Sequence, residues 1–157
     1  MPVIFARVDD RLIHGQIVQA WLPQLNVDEV IIPRTKRNCH SLNGGLLRLS
    51  LPYEYELVIM DAADIAAYVS ASKRRIFLLM DCLQDFTDLL TDGLKIRSVN
   101  IGGMHFKEGA KKLADNVFLD QTDKHLLKLI HDLGIGIETR AVPNASSIPV
   151  TEVLRDS

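Results

Sequence analysis

The densest run of chemically competent side chains in the sequence is Asp9-Asp10-Arg11-Leu12-Ile13-His14-Gly15-Gln16, with Arg7 two residues upstream. It brings together an imidazole able to act as a nucleophile, two carboxylates and two guanidinium groups. A glycine follows at the point where helical character begins. Free N–H groups and the positive dipole end of a helix N-terminus stabilise an anion by about 0.3–1 kcal/mol, and by up to about 2 kcal/mol when partly buried; they also favour neutral imidazole over imidazolium. Neutral imidazole is the nucleophilic form. Gly15 would let an incoming group approach the backbone closely, and the planar fork of Arg11 matches phosphoryl oxygens. Together these properties suit a transient phosphohistidine on His14. Two competing readings of the same residues are a loop histidine among solvated charges and a metal site built from Asp9, Asp10 and His14.

Such a segment needs a frame to hold it. Val3–Val8, Glu29–Ile32, Glu56–Met60, Arg75–Met80 and Ser98–Ile101 read as strands, several almost continuously apolar, as strands covered on both faces are. Asn116–Leu119 and Gly136–Val142 are two further strand candidates, the latter with a period of two. Helical stretches are expected over Gly15–Leu22, Ser41–Leu51, Ala62–Ser70, Leu83–Thr91, Lys107–Ala114 and Asp123–Leu133. In the last, Leu126, Leu127, Ile130 and Leu133 make one stripe, with Thr122 and Asp123 as a start and Gly134 as a stop. Strand–helix alternation predicts an α/β fold with a mainly parallel sheet. Ligands of such sheets bind beyond the carboxyl ends of the strands, where the Asp9–Gln16 segment would lie.

Composition narrows the function classes. The 157 residues predict one domain, 1–157; 47% are apolar and 24% charged, values that exclude a fibrous repeat, a disordered chain or a disulfide miniprotein. A formal charge of −2 supplies no global attraction for nucleic acid. The longest apolar runs, such as Ile76–Met80, fall far short of a membrane span, and Met1–Arg7 lacks the marks of a secretion signal, so a cytoplasmic location is expected. Cys39 and Cys82 are far apart and form no C-x-x-C, so they are read as reduced thiols.

The segment Arg7-Val8-Asp9-Asp10-Arg11-Leu12-Ile13-His14-Gly15-Gln16-Ile17, followed by Trp21, closely resembles the active-site segment of the IIB components of the mannose/fructose/sorbose-type sugar phosphotransferase system. Asn100-Ile101-Gly102-Gly103-Met104-His105-Phe106-Lys107-Glu108-Gly109 is similar to that family's N-x-G-x-M-x-F-x-E-G piece, and Arg140-Ala141-Val142-Pro143-Asn144 to its R-x-V-P-N piece. The three segments run in order along nearly the whole chain. The resemblance implies a three-layer open α/β sheet, mostly parallel with a C-terminal antiparallel strand, and helices on both faces. It also implies a phosphocarrier enzyme: a IIA protein donates a phosphoryl group to the IIB histidine, here His14, which passes it to a sugar held by membrane IIC and IID subunits. Arg11 would stabilise the phosphoryl group. The backbone of Leu12, Ile13, Gly15 and Gln16 would cradle it, with Arg7, Asp9, Asp10, Gly102 and Gly103 in support. Asp9 and Asp10 are read as shaping the loop or orienting Arg11 or the imidazole. No cofactor and no metal is implied, and neither a P-loop nor a complete G-x-G-x-x-G is present. The sequence leaves the sugar and the oligomeric state open.

One stretch departs from the family pattern. Pro33-Arg34-Thr35-Lys36-Arg37-Asn38-Cys39-His40 carries three basic residues where the family usually has acidic ones. At the carboxyl edge it would alter the potential around His14 and the choice of partner; as a solvated loop it would do neither. It motivates an alternative function, a regulatory IIB-like module whose His14 phosphorylation state signals to a partner without sugar transport. Gly102-Gly103 makes either a close approach to a ligand or to the His14 loop, or only a tight turn. Met104 and Phe106 read as packing residues, and His40, His105, His125 and His131 as structural or solvated. Trp21 is expected to anchor its helix in the core or at a subunit contact.

Overall fold

A computed structural model describes residues 2–148 and 150–155 of the chain. Six strands form one sheet in the order β3-β2-β4-β1-β5-β8: β1 Val3–Asp9, β2 Glu29–Arg34, β3 Glu56–Asp61, β4 Ile76–Met80, β5 Ser98–Gly103 and β8 Gly136–Glu138. Every pairing in this sheet is parallel. A two-stranded antiparallel pair, β6 Lys111–Ala114 and β7 Val117–Leu119, forms a separate small sheet bridged to Met104 just beyond β5. The helices are a π-type turn Gln16–Trp21, α1 Gly44–Ser50, α2 Ala62–Ala71, α3 Leu83–Thr91, α4 Gln121–Asp132 and α5 Val150–Arg155.

β4 shows how the sheet is held. All five of its side chains are fully buried, and they alternate between two cores. Ile76, Leu78 and Met80 pack with Ile65 and Val69 of α2, Leu83, Phe86 and Leu89 of α3, and Leu127 and Ile130 of α4. Phe77 and Leu79 face the opposite layer, with Ile13, Ile17, Trp21, Leu22 and Leu51. Burying an apolar side chain of this size contributes roughly 1.5–3 kcal/mol, so a strand with two apolar faces is stable only between two layers. β1 lies between β4 and β5 at the centre of the sheet, and its carboxyl end opens into the Asp10–Gly15 loop.

The expected α/β architecture with helices on both faces holds, and three local expectations are corrected. First, the last strand of the sheet is not antiparallel: β8 runs parallel to β5, because α4 crosses over between β7 and β8 and returns the chain in the same direction. The antiparallel pairing is confined to the β6–β7 hairpin. Second, Lys107–Ala114 is not a helix. Gly109 adopts φ +81, and Asp115-Asn116, with Asn116 at φ 65, makes the two-residue turn that sends Lys111–Ala114 back along Val117–Leu119. Third, the strand expected over Gly136–Val142 stops at Glu138. The carbonyls of Arg140 and Ala141 accept hydrogen bonds from the side chains of Arg7, Asn100 and Trp21 instead of a neighbouring strand.

Helix starts follow capping chemistry. Asn43 accepts a hydrogen bond from the Leu46 N–H at 3.0 Å and moves the start of the second expected helix to Gly44. Asp120 and Asp123 form a reciprocal capping box that starts α4 at Gln121, and Gly134, at φ 81, follows its end as expected.

Candidate functional site

β1 ends in a carboxylate with no exposed surface. Asp9 Oδ2 accepts from Arg7 Nη2 at 2.9 Å and Nε at 3.2 Å, from Arg11 Nη2 at 3.0 Å, and meets His14 Nε2 at 2.8 Å. Its Oδ1 accepts from Arg11 Nε at 3.0 Å and from the Arg11 backbone N–H at 3.1 Å. Burial alone would push the pKa of this carboxyl up, because it disfavours the charged form. The hydrogen bonds from His14 and Arg11, with the charge of Arg7, outweigh that and hold it well below the usual carboxylate range. An ionised carboxylate only accepts, so His14 Nε2 carries the proton and donates it, and in the neutral ring Nδ1 carries the lone pair.

The loop is turned to make this contact. The Leu12 N–H donates to Asp9 O at 3.0 Å, and Leu12 takes φ 56, in the left-handed region an apolar residue rarely occupies. That turn sends Ile13 into the core, 7% exposed, and leaves the His14 side chain 18% exposed over Asp9. The Asp10 N–H donates to Gly103 O at 3.1 Å and ties the loop to the neighbouring strand.

Arg7 is fully buried, which is costly for a cation unless its donors are satisfied. Besides Asp9, it donates to Asn100 Oδ1 at 3.0 Å, Ala141 O at 2.9 Å and Gln16 Oε1 at 3.2 Å. Its guanidinium carbon lies 5.5 Å from the Trp21 ring centre, and Arg140 lies 5.4 Å from the same ring. Trp21 stacks on Phe5 at 4.4 Å and donates to Ala141 O at 2.8 Å, so it anchors its turn in the core. Gln16 Oε1 also accepts from Arg11 Nη2 at 3.1 Å and so joins the two guanidinium groups.

The glycine pair makes the close approach to the His14 loop. A Cβ at Gly102 would lie 2.0 Å from Arg7 Cζ, and one at Gly103 would lie 2.5 Å from Asp9 Oδ1. Any side chain at either position displaces the buried ion pair. At Gly15, by contrast, a Cβ would meet nothing within 4 Å, so no packing demands glycine there.

The structure thus brings Arg7, Asp9, Arg11, His14, Gln16, Gly102 and Gly103 into one cluster at the carboxyl edge. Asp10 lies outside that cluster. It accepts from the His105 backbone N–H at 2.7 Å and meets His105 Nδ1 at 2.5 Å, so the two consecutive aspartates hold different histidines. Met104 is buried, whereas Phe106 is exposed and packs edge-to-face on Phe118. The basic stretch does sit at the carboxyl edge of β2, but Arg34 pairs with Asp61, and Arg37 with Asp85 and Asp88, at 2.6–2.8 Å. Two of its three charges are therefore neutralised within the chain.

Asn100, absent from the expected site, proves central to it: Oδ1 accepts from Arg7, and Nδ2 donates to Arg140 O at 3.0 Å. Its signal was present in the sequence, since an amide between the apolar Val99 and Ile101 of a strand needs a buried partner.

Comparison with known proteins shows the family to which the chain belongs. Residues 3–157 match the PTS system sorbose subfamily IIB component family. The chain is 32% identical over 145 residues to the sorbose-specific EIIB component of Lacticaseibacillus casei, covering 90% of this chain and 88% of that one. It is 29% identical over 157 residues to the mannose-specific EIIAB component of Escherichia coli, covering 98% of this chain and 49% of the longer relative. The crystal structure of the IIBSor domain of the sorbose permease from Klebsiella pneumoniae superimposes with a TM-score of 0.88 at 27% identity, covering 100% of this chain and 98% of that one. The chain therefore belongs to the sorbose-subfamily IIB components, phosphotransferase components of the sugar phosphotransferase system.

Proposed function

We propose that His14 accepts a phosphoryl group at Nδ1 from a phosphohistidine of a IIA protein and passes it to a sugar held by membrane IIC and IID subunits. The observation that carries this reading is the 2.8 Å contact of His14 Nε2 with the buried, ionised Asp9, which commits the ring proton to Nε2 and leaves Nδ1 as the nucleophile. As the donor P–N bond breaks, a new bond forms between phosphorus and Nδ1, and the Nε2 proton stays on the ring facing Asp9. The positive charge the ring acquires is met by that carboxylate. Phosphoryl transfer needs positioning and charge neutralisation more than covalent help from the protein.

Arg11 is suited to hold the transferred oxygens. Its Nε and Nη2 are fixed on Asp9, and among the described residues Nη1 makes no hydrogen bond, on a side chain 36% exposed. The open space in front of Gly15 leaves room for the group beside the Leu12–Gln16 backbone. Among the described residues no helix is long and apolar enough to cross a membrane, so in this reading the sugar is held by the partners.

Incubation with a phosphorylated IIA protein of a sorbose- or mannose-type system tests the reading. The chain should gain close to one phosphoryl group per molecule, stable in alkali and lost in acid, as a phosphoramidate is. A chain that takes no label from any such donor is not a phosphocarrier.

A further inference from the structure

At the corner where β4 meets α3, one carboxylate oxygen of Asp81, the Cys82 sulfur and one carboxylate oxygen of Asp85 lie within 4.8 Å of one another. Asp85 has no exposed side-chain surface. Its Oδ1 is taken by Arg37, with Nη2 at 2.6 Å and Nε at 3.2 Å, but among the described residues its buried Oδ2 has no hydrogen-bond donor. A buried acceptor left without a partner costs about 1–3 kcal/mol, more when charged. Asp81 Oδ2 accepts from the Asn38 amide at 3.1 Å. Two carboxylates and a thiol therefore face one another with their single arginine committed to Oδ1 of one of them and shared with Asp88.

We propose that Asp81, Cys82 and Asp85 bind a divalent transition-metal ion of borderline softness, with zinc as the type. Asp85 Oδ2, the oxygen Arg37 leaves unused, would be one ligand. The sulfur argues against magnesium or calcium, which take oxygen ligands in sets of six or more, and for an ion that accepts mixed oxygen and sulfur donors. A tetrahedral ion with oxygen bonds of about 2.0–2.2 Å and a sulfur bond of about 2.3 Å sets these ligand atoms about 3.3–3.7 Å apart, so groups within 4.8 Å of one another need to close by at most about 1.5 Å. Asp81 and Cys82 also line a cavity of about 220 Å³ whose other walls include Asp10 and His105. That opening gives the ion a path in and leaves a fourth position to water. Binding exchanges the thiol proton for the metal: an S–metal bond forms, and one proton leaves to solvent. The loaded site would fix the Arg37-Asn38 loop, which is moored on two of the same ligands.

The metal-free, reduced protein should be titrated with zinc by calorimetry in two buffers of different ionisation enthalpy, and with cobalt by absorption. The expected results are one saturable site, release of about one proton, and a thiolate-to-cobalt charge-transfer band. Loss of an outer-shell partner already weakens metal sites about 10- to 100-fold, so Cys82→Ser should weaken binding by at least about 100-fold and remove the band. Asp81→Asn should weaken binding as well, whereas His14→Ala should leave it unchanged. The proposal is overturned by no saturable binding, as when Asp81 and Asp85 share a proton instead. It is equally overturned by binding that survives Cys82→Ser, or by binding lost in His14→Ala.

Discussion

The variant His14→Ala should carry no acid-labile phosphoryl label after exposure to a phosphorylated IIA protein, while keeping its fold. The loss is expected to reach background, because among the described residues no neighbouring group repeats the arrangement of a part-exposed imidazole with one nitrogen fixed on a buried carboxylate and a guanidinium nitrogen without a hydrogen bond beside it. The structural cost should be small. Asp9 loses one of its contacts but keeps both arginines, so the destabilisation is about 1.5–3 kcal/mol, the scale of a hydrogen bond to a charged group. Urea unfolding of the variant measures that cost, and mass spectrometry in alkaline conditions measures the label. Label retained at the wild-type level would move the acceptor elsewhere, with the 78% exposed His105, held at Nδ1 by Asp10, as the first place to look.

Asp9→Asn should have the next largest effect. The substitution keeps the shape and removes the charge on which Arg7, Arg11 and His14 converge. An amide can present either its oxygen or its N–H to the ring, so the proton is no longer confined to Nε2. The nucleophilic nitrogen is then exposed in only part of the population. Asp9 takes no proton but fixes the ring's tautomer and orientation; neutralising a carboxylate in that role lowers rates by up to about 10⁴-fold, and the rate of phosphoryl acceptance should fall on that scale. Breaking a buried ion pair by neutralising one partner also destabilises by about 3–5 kcal/mol. The rate must therefore be measured at a temperature where circular dichroism shows the variant folded. Proton–nitrogen spectra of the His14 ring give an independent readout: the wild type should show the proton on Nε2 and the variant a mixture. Wild-type rates in a folded Asp9→Asn protein would remove Asp9 from the chemistry.

Wild-type Asp9 also sets a direction for acid stability. Its carboxyl ionises well below the ordinary range in the folded chain, so its contribution to stability is complete above the unfolded value near 3.8 and is lost as the pH falls toward the folded one.

Much of this site is legible in the sequence because its parts are local. Arg7, Asp9, Arg11, His14 and Gln16 lie within ten residues, so their types and spacing already describe a charged imidazole site at a strand end. Gly102-Gly103 reads in the sequence as either a close approach, to a ligand or to the His14 loop, or a tight turn. Only folding, by pairing Arg7 with Asn100 and Asp9 with Gly103, shows that a buried guanidinium and carboxylate occupy the space a Cβ would need. Asp10 misleads by adjacency, since successive residues leaving a strand point apart, and its partner His105 is 95 residues away. Lys107–Ala114 misleads by composition: Lys, Glu and Ala favour helix, but Gly109 and the Asp115-Asn116 turn decide the local path, and the hairpin seals the core beside Met104. The neutralisation of Arg34 and Arg37 depends on carboxylates 27 to 51 residues further on, beyond the reach of any local reading.

The most direct test of the account is which nitrogen of His14 carries the phosphoryl group. With the ring proton held on Nε2 by Asp9, the adduct formed from a phosphorylated IIA protein should be bonded at Nδ1, read from phosphorus–nitrogen and proton–nitrogen couplings in the labelled ring under alkaline conditions. A phosphoryl group found on Nε2 would contradict the account, because that nitrogen could react only by abandoning Asp9.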